Sequence, residues 1–310
     1  MNRCPITYLP IKSGRYSKEG LRILSPKLNN LKDFPYGEAK QLELLLDYSD
    51  KLSFSGVQPK LGAKLNIQDE IFEVVRSGGA FLLKLPRALY AELPQNEDLT
   101  MKLAKHALIN IPKHGMIYAK DHSLVYFIER FDRAPKKRIH VEDFGQLLGL
   151  PREKKYDSSM EKICTVIDRF CTFPLIEKEK LFRLTLFNFL VGNEDMHLKN
   201  FSLITKDGIT ELSPAYDLVN SSIVMKTKEE IALSLNGKKS NLKKSDLIDY
   251  FGKERLGLSD ASIKEILDSL HSSLPEWKKL IGISFLSEPK KNAYLHLVEE
   301  RSARLFGDII

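Results

Sequence analysis

The sequence predicts an α+β protein built as two lobes: a small mixed lobe with a β-sheet over residues 1–135 and a mainly helical lobe over residues 136–310. Three observations carry this. Short alternating apolar runs, separated by Gly, Pro and Asp, recur from about residue 51 to Glu129, as half-buried strands do. From Val141 onward apolar residues recur at helical spacing instead. Between the two lies the charged, proline-containing segment Glu129-Arg130-Phe131-Asp132-Arg133-Ala134-Pro135, where a hinge between lobes belongs. With 310 residues and 43% hydrophobic content, the chain is long enough to give each lobe a core.

Residues 1–50, punctuated by Pro5, Pro10, Gly14, Gly20, Pro26 and Pro35, are expected to form an irregular arm packed on the next segment, with a brief helix over 39–46. A short alternation over 51–55 leads through a Ser55-Gly56 turn into a strand after Lys60. Small residues at such a turn let backbone N–H groups approach phosphate, although most Ser-Gly turns are merely turns. Ile71 to Arg76, a Gly78-Gly79 turn and Ala80 to Pro86 continue the sheet, and Lys84 stands within the last apolar run. A buried lysine needs a charged partner; the bland alternative is an edge strand whose lysine reaches water. A helix opens near Pro94, with Asn96 as its expected cap and Leu99, Leu103, Ala104 and Ala107 as its stripe. Glu97 or Glu92 is placed to pair with Lys84. His114 to Ala119 and Ser123 to Glu129 read as two further strands.

In the second part, helices are expected over Val141 to Leu148, Ser158 to Cys171, Glu177 to Val191, Lys244 to Phe251, Ser259 to Leu270 and Lys290 to Leu305. Phe201 to Thr205 and Ile209 to Leu212 form a hairpin about Asp207-Gly208, and Ile231 to Leu235 reads as a short strand.

The net charge is +7, which suits a polyanionic partner, although each basic run taken singly, such as Arg152 to Lys155, reads as a solvated face. No apolar run reaches membrane-spanning length and the N-terminus lacks the apolar core of a signal peptide, so a cytoplasmic protein without a membrane partner is expected. Cys4, Cys164 and Cys171 show no metal or disulfide spacing and read as core residues.

The chemistry gathers where the apolar run ending at Val191 breaks at Gly192. In Asn193-Glu194-Asp195-Met196-His197-Leu198-Lys199-Asn200, Asp195 and Asn200 stand in the spacing D-x-x-x-x-N. Protein kinases use that spacing in their catalytic loop, the Asp accepting a hydroxyl proton and the Asn holding magnesium. A second carboxylate, Asp217, lies beyond the hairpin. Asp217 and Asn200 offer hard oxygen ligands for Mg²⁺, Lys84 supplies a fixed charge for phosphate, and His197 and Lys199 are placed to steady phosphate or the loop. The backbone from Glu129 to Phe131 is a candidate clamp for the adenine of ATP. No G-x-G-x-x-G occurs, and the second aspartate stands in Tyr216-Asp217-Leu218, which is no D-F-G; both argue against an ordinary eukaryotic-type kinase.

Several segments together resemble the HipA family of bacterial toxin kinases: Ser-Gly-Val-Gln-Pro-Lys (55–60), Leu-Leu-Lys-Leu-Pro (82–86), Asn-Glu (96–97), Glu-Arg-Phe-Asp-Arg (129–133), Val-Glu-Asp-Phe-Gly-Gln-Leu-Leu-Gly (141–149), the Asp195 loop (192–202) and Pro-Ala-Tyr-Asp-Leu (214–218). The resemblance implies a fold related to phosphoinositide and protein kinases and an ATP- and Mg²⁺-dependent serine/threonine kinase. It implies Asp195 as catalytic base, Asn200 and Asp217 as metal ligands, Lys84 as phosphate contact, and Glu129 and Phe131 at the adenine. It also implies a phosphate-covering loop with Ser55, Gly56 and Val57, in which Ser53 or Ser55 is self-phosphorylated. The N-terminus looks too short for the extra subdomain of full-length members and resembles the shorter HipT-like type. The partners so implied are a glutamyl- or tryptophanyl-tRNA synthetase as substrate, a helix-turn-helix HipB-like antitoxin bridging to DNA, and a small HipS-like protein. A kinase-like scaffold that only joins a DNA-bound antitoxin complex is the competing reading.

Overall fold

A computed structural model of the chain describes residues 2–37, 40–41, 43–44, 60–86, 90–134, 137–225 and 228–307. The chain forms two compact units. Met1–Leu99, Pro112–Arg130 and Ile283–Leu286 make the first; Thr100–Ile111, Phe131–Gly282 and Ser287–Ile310 make the second. The result is a mixed α+β protein, as the sequence predicts.

In the first unit, strands β1 (Lys60–Asn66), β2 (Ile71–Val74), β3 (Phe81–Lys84), β4 (His114–Tyr118) and β5 (Leu124–Glu129) form one five-stranded sheet in the order β2-β1-β3-β5-β4. All four pairings are antiparallel. Phe72, Phe81 and Phe127 pack against one another on this sheet with centroids 5.2–6.1 Å apart, each such pair adding about 0.5–1.5 kcal/mol beyond area burial. The expected arm covers the sheet: Cys4, Ile6, Leu21, Leu24, Leu28, Leu31 and Phe34 share one core with Leu61, Leu83 and Phe127. The Phe34 N–H donates to the Tyr118 carbonyl (2.8 Å), and the Lys120 N–H donates to the Phe34 carbonyl (2.9 Å). The arm is less irregular than expected. It contains helix α1 (Lys18–Leu24), whose N-terminus is capped by Ser17 accepting from the Gly20 N–H; among so many turn residues that signal was diluted.

Helix α2 (Leu93–His106) begins in the first unit and ends in the second. It starts earlier than the sequence suggests: Asn96 is no cap, because its N–H already donates to the Glu92 carbonyl at 3.0 Å.

In the second unit, β6 (Arg133–Ala134) and β7 (Lys137–Arg138) form a separate two-stranded ladder. Strands β8 (His140–Asp143), β9 (Ser202–Lys206) and β10 (Ile209–Leu212) form a three-stranded antiparallel sheet in the order β10-β9-β8. The β9–β10 hairpin turns on Asp207 (φ 52°) and Gly208 (φ 82°), the pair of left-handed residues that a two-residue hairpin turn requires. The expected helix from Val141 is a correction. Residues 141–143 pair with β9 and only Phe144–Leu147 (α3) is helical, opened by a capping box of Asp143 and Gln146.

Helices α4 (Met160–Phe170) and α5 (Pro174–Val191) come next. From Leu181 to Val191 only Arg183 escapes full burial, so α5 runs through the core rather than along its surface. Burial pushes the thiols of Cys164 and Cys171 up to about 12, as suits core residues. Residues 231–235 form no strand. They make only isolated bridges, Ser159 with Ser234 and Leu235 with Lys238, among the described residues. Asp246–Arg255 is helical with wide, π-type turns. Helix α6 (Asp260–Ile283) runs past the expected end at Leu270, through Pro275, to bury Trp277 edge-on against Phe187. Helix α7 (Glu288–Phe306) closes the unit.

Gly192, at the C-terminus of α5, has φ +71°, a conformation open to glycine at little cost. A Cβ there would meet the side chain of Leu297 and stand 2.7 Å from Ser222 Oγ. Gly192→Ala is therefore expected to lose about 2–4 kcal/mol, read as a lower urea midpoint, whereas Gly208→Ala, with nothing within 4 Å of its Cβ, costs less.

Candidate active site

The loop after Gly192 is clamped on every side by the second unit. Asn193, 1% exposed, donates through Nδ2 to Asn188 Oδ1 (3.0 Å), while Asn193 Oδ1 accepts from the Asp195 N–H. The Glu194 N–H donates to Ser221 Oγ at 2.7 Å. The Glu194 carboxylate, buried, accepts from Ser222 Oγ and from Arg301 Nη2 of α7 at 2.9 Å, and Arg301 Nη1 donates to the Phe189 carbonyl at 2.7 Å. One arginine thus ties the last turn of α5 to the loop beyond it.

Within the loop, the His197 N–H donates to the Asp195 carbonyl and the Asn200 N–H to the His197 carbonyl, both at 2.9 Å. Asn200 Nδ2 donates to the Asp195 carbonyl at 2.9 Å. That bond orients the amide: its nitrogen is committed to the loop, and its oxygen is an acceptor atom. Lys199 Nζ donates to Asp143 Oδ2 at 2.6 Å, tying the loop to the start of α3. Asn200 also lines a cavity of about 300 Å³, together with Asn110, Arg183, Ser202 and Ser213.

Asp217 reaches this region through its neighbour. The Tyr216 hydroxyl is within hydrogen-bonding reach of Ser202 Oγ (2.5 Å) and donates to the Lys199 carbonyl (2.9 Å), while the ring packs 5.6 Å from that of Phe131. Burial pushes the Tyr216 phenol far up, so it stays a neutral donor. Asp217 itself has φ +54°, an uncommon backbone state for a residue with a side chain and one that clusters at functional positions. Its charge acts on both Lys155 and His197, as does that of Asp195; the two aspartates therefore flank one locality. Carboxylate and amide oxygens are a hard donor set that fits Mg²⁺. Among the described residues no group of three or more His, Cys, Asp or Glu side chains is placed to hold a metal alone, so a cation bound here would complete its shell with phosphate and water oxygens.

Two residues that sequence reasoning passed over complete the locality. Lys155 Nζ lies 2.8 Å from His197 Nε2, and the Tyr156 hydroxyl donates to Asp195 Oδ1 at 2.5 Å. The Lys155 carbonyl accepts from the Leu198 N–H at 3.2 Å. Burial lowers both Lys155 and His197 from their ordinary ranges, the two aspartates pulling the other way. Reading the basic run at 152–155 as a solvated face fails at one position: Arg152 and Lys154 are exposed, but Lys155 turns inward. Periodicity cannot signal this, because the segment is a short 3₁₀ turn.

In the first unit, Lys84 lies on the central strand β3 and is 5% exposed, so the edge-strand alternative fails. Its ammonium pairs with Glu97 Oε1 at 2.5 Å and stands 5.6 Å from the Tyr126 ring centroid. Glu97, one of the two candidate partners, makes this contact. Glu129 accepts from Lys113 at 3.2 Å on the surface of β5. Ser53, Ser55, Gly56 and Val57 lie outside the described residues. No helix among the described residues is long and apolar enough to cross a membrane.

Residues 52–277 match the family model described as the HipA-like C-terminal domain. A Haemophilus influenzae protein named "Putative kinase" is 27% identical over 98% of both chains. The serine/threonine-protein kinase toxin HipA of Shewanella oneidensis is 28% identical over 61% of this chain and 48% of its own length, so the match spans about half of that relative. Among solved structures, the Shewanella oneidensis HipA, HipB and operator DNA complex superposes with a TM-score of 0.70 at 23% identity, over 90% of this chain and 73% of that one. The Helicobacter pylori proinflammatory kinase CtkA superposes with a TM-score of 0.56 at 14% identity, over 76% of this chain and 87% of that one. Both show the fold.

Removing one partner of a buried ion pair strands the other charge. Arg301→Met is expected to lose about 3–5 kcal/mol and to speed amide exchange at residues 193–200. Adding Glu194→Leu should restore part of the loss; a double variant less stable than Arg301→Met would contradict the pairing.

Proposed function

The chain belongs to the family of HipA-like C-terminal domains, and from that premise we propose that it is the serine/threonine kinase toxin of a bacterial toxin–antitoxin system. The observation that carries the reading is that Asp195 and Asn200 sit on one clamped loop, with Asp217 acting on the same neighbours. Phosphoryl transfer asks a protein chiefly for positioning and for charge, and each residue has a distinct part. Asp195 accepts the proton of the acceptor serine. Asn200 Oδ1 and the Asp217 carboxylate hold Mg²⁺, which when bound neutralises charge on the ATP phosphates. Lys84, kept in place by Glu97, supplies a positive charge to those phosphates, and the backbone from Glu129 to Phe131 clamps adenine. Lys199, bound to Asp143, and His197 steady the loop. Ser55, Gly56 and Val57 cover the phosphates, and Ser53 or Ser55 receives a phosphoryl group from the protein itself.

The acceptor class we favour is an aminoacyl-tRNA synthetase, tryptophanyl- or glutamyl-, whose modification would stop translation. A HipB-like DNA-binding antitoxin is the proposed partner, supported by the related HipA having been solved with HipB and operator DNA; a small HipS-like protein is a second. The same complex, with the net charge of +7, supports the alternative of a scaffold that works by joining a DNA-bound assembly. Salt-sensitive retention on operator DNA, unaffected by Asp195→Ala, would favour it.

Intact mass after incubation of phosphatase-treated protein with MgATP separates these readings. The wild type is expected to gain one or more phosphoryl groups and Asp195→Ala none. A gain that survives in Asp195→Ala would remove Asp195 from its role.

A further inference from the structure

The segment after the 3₁₀ turn Arg152–Lys154 places Tyr156 against the carboxylate of Asp195, the proposed proton acceptor. The hydroxyl donates to Asp195 Oδ1, and the ring stands edge-on to His197, with centroids 5.1 Å apart. The Lys155 ammonium lies 4.8 Å from the Tyr156 ring centroid and 2.8 Å from His197 Nε2. Because an ammonium can only donate, His197 accepts through Nε2 and carries its proton on Nδ1. The peptide is fixed as well, through the Lys155 carbonyl and the Leu198 N–H. Tyr156 is thus anchored from the backbone, from its ring and from its hydroxyl.

We propose that Tyr156 is a positioning residue for phosphoryl transfer: its hydroxyl holds Asp195 Oδ1 so that Oδ2 is aimed at the acceptor hydroxyl, and Lys155 fixes the His197 ring against which Tyr156 rests. The proposal deepens the reading of Asp195 as base and rests on it. A carboxylate has two oxygens and free rotation about its last bond. The Asp195 backbone is held by Asn193 and Asn200, but backbone bonds do not choose which oxygen faces the acceptor. One donor on one oxygen does. The task resembles that of the outer-shell partners that orient metal-binding side chains, and a reacting group that is misplaced by about an ångström costs on the order of a hundredfold in rate. A swinging gate fits less well, since Tyr156 would have to leave His197 and Asp195 together while its own backbone stays bonded to the loop.

The test compares wild type, Tyr156→Phe, Tyr156→Ala and Asp195→Ala as full chains, using γ-labelled ATP as the probe and reading label incorporated together with phosphate released. Tyr156→Phe keeps the ring on His197 and loses only the hydroxyl. It is expected to lower kcat about tenfold to a hundredfold while leaving the KM for MgATP within about twofold and the melting temperature unchanged, the pattern of a lost transition-state contact rather than of lost substrate binding. Tyr156→Ala, which loses the ring as well, is expected to fall at least as far. Wild-type kcat in Tyr156→Phe, with Asp195→Ala inactive, overturns the proposal and leaves the base assignment standing; activity in Asp195→Ala overturns the base assignment itself. A faster Tyr156→Phe also overturns it, because the hydroxyl would then be occupying the acceptor's place. Crystal structures of wild type and Tyr156→Phe supply a readout independent of turnover. The Asp195 carboxylate is expected in one orientation in wild type and in a different one, or in several, in the variant; an unchanged carboxylate overturns the proposal.

Discussion

The buried ion pair of Arg301 and Glu194 is the interaction on which the second unit's site depends. Helix α5 delivers an apolar chain to Gly192 and stops there. The loop beyond Gly192 is short, its regular structure limited to the 3₁₀ turn Leu198–Asn200, and such a segment holds one shape only if its groups are individually satisfied. Arg301 does this from α7 with a single planar fork, one arm on the Phe189 carbonyl and the other on Glu194. Ser221, Ser222 and Asn193 complete the frame. A residue more than a hundred positions along the chain therefore decides where Asp195 and Asn200 lie.

The first unit solves a similar problem with its own buried pair. Lys84 sits on the central strand of its sheet, paired with Lys60 on one side and Tyr126 on the other, and Glu97 on α2 offsets its charge. The pair adds little stability by itself, since desolvating two ions offsets most of their attraction. Its effect is to hold a cation in one place, which a lysine on an edge strand would not do. Asp98, the next residue on α2, is buried against His114 at 2.8 Å, so the helix is bonded to the sheet through two successive acids.

Much of this was legible in the sequence. The five strands described in the first unit, the Asp-Gly hairpin, the break at Gly192 and the Asp195/Asn200 spacing all come from local chemistry: alternation, turn residues and the left-handed preference of glycine. The misreadings share a cause. Val141 to Asp143 has the composition of a helix start but lies beside β9, and a tertiary partner decided its state. Ile231 to Leu235 has the composition of a strand but forms only isolated bridges, with Ser159 and Lys238, among the described residues. Helix α6 runs on through Pro275 because burying Trp277 compensates for the lost backbone bond. Lys155, Tyr156, Tyr216 and Arg301 act through contacts far apart in the chain, and no spacing rule announces them. Tyr216 shows the limit best: next to Asp217 in sequence it looks like an apolar neighbour, yet its hydroxyl is what fastens that segment to the Lys199 carbonyl.

The site as a whole is a loop held rigid from behind, and the proposed reading gives Asp195 to a proton and Asn200 and Asp217 to a cation. Calorimetric titration of wild type and Asp217→Ala with ATP, each with and without Mg²⁺, tests this most directly. Wild type should bind ATP markedly more tightly with Mg²⁺ present, and Asp217→Ala should lose that gain while keeping its fold. Equal affinity of the two proteins for MgATP would contradict the assignment of Asp217 and Asn200 as the metal's ligands.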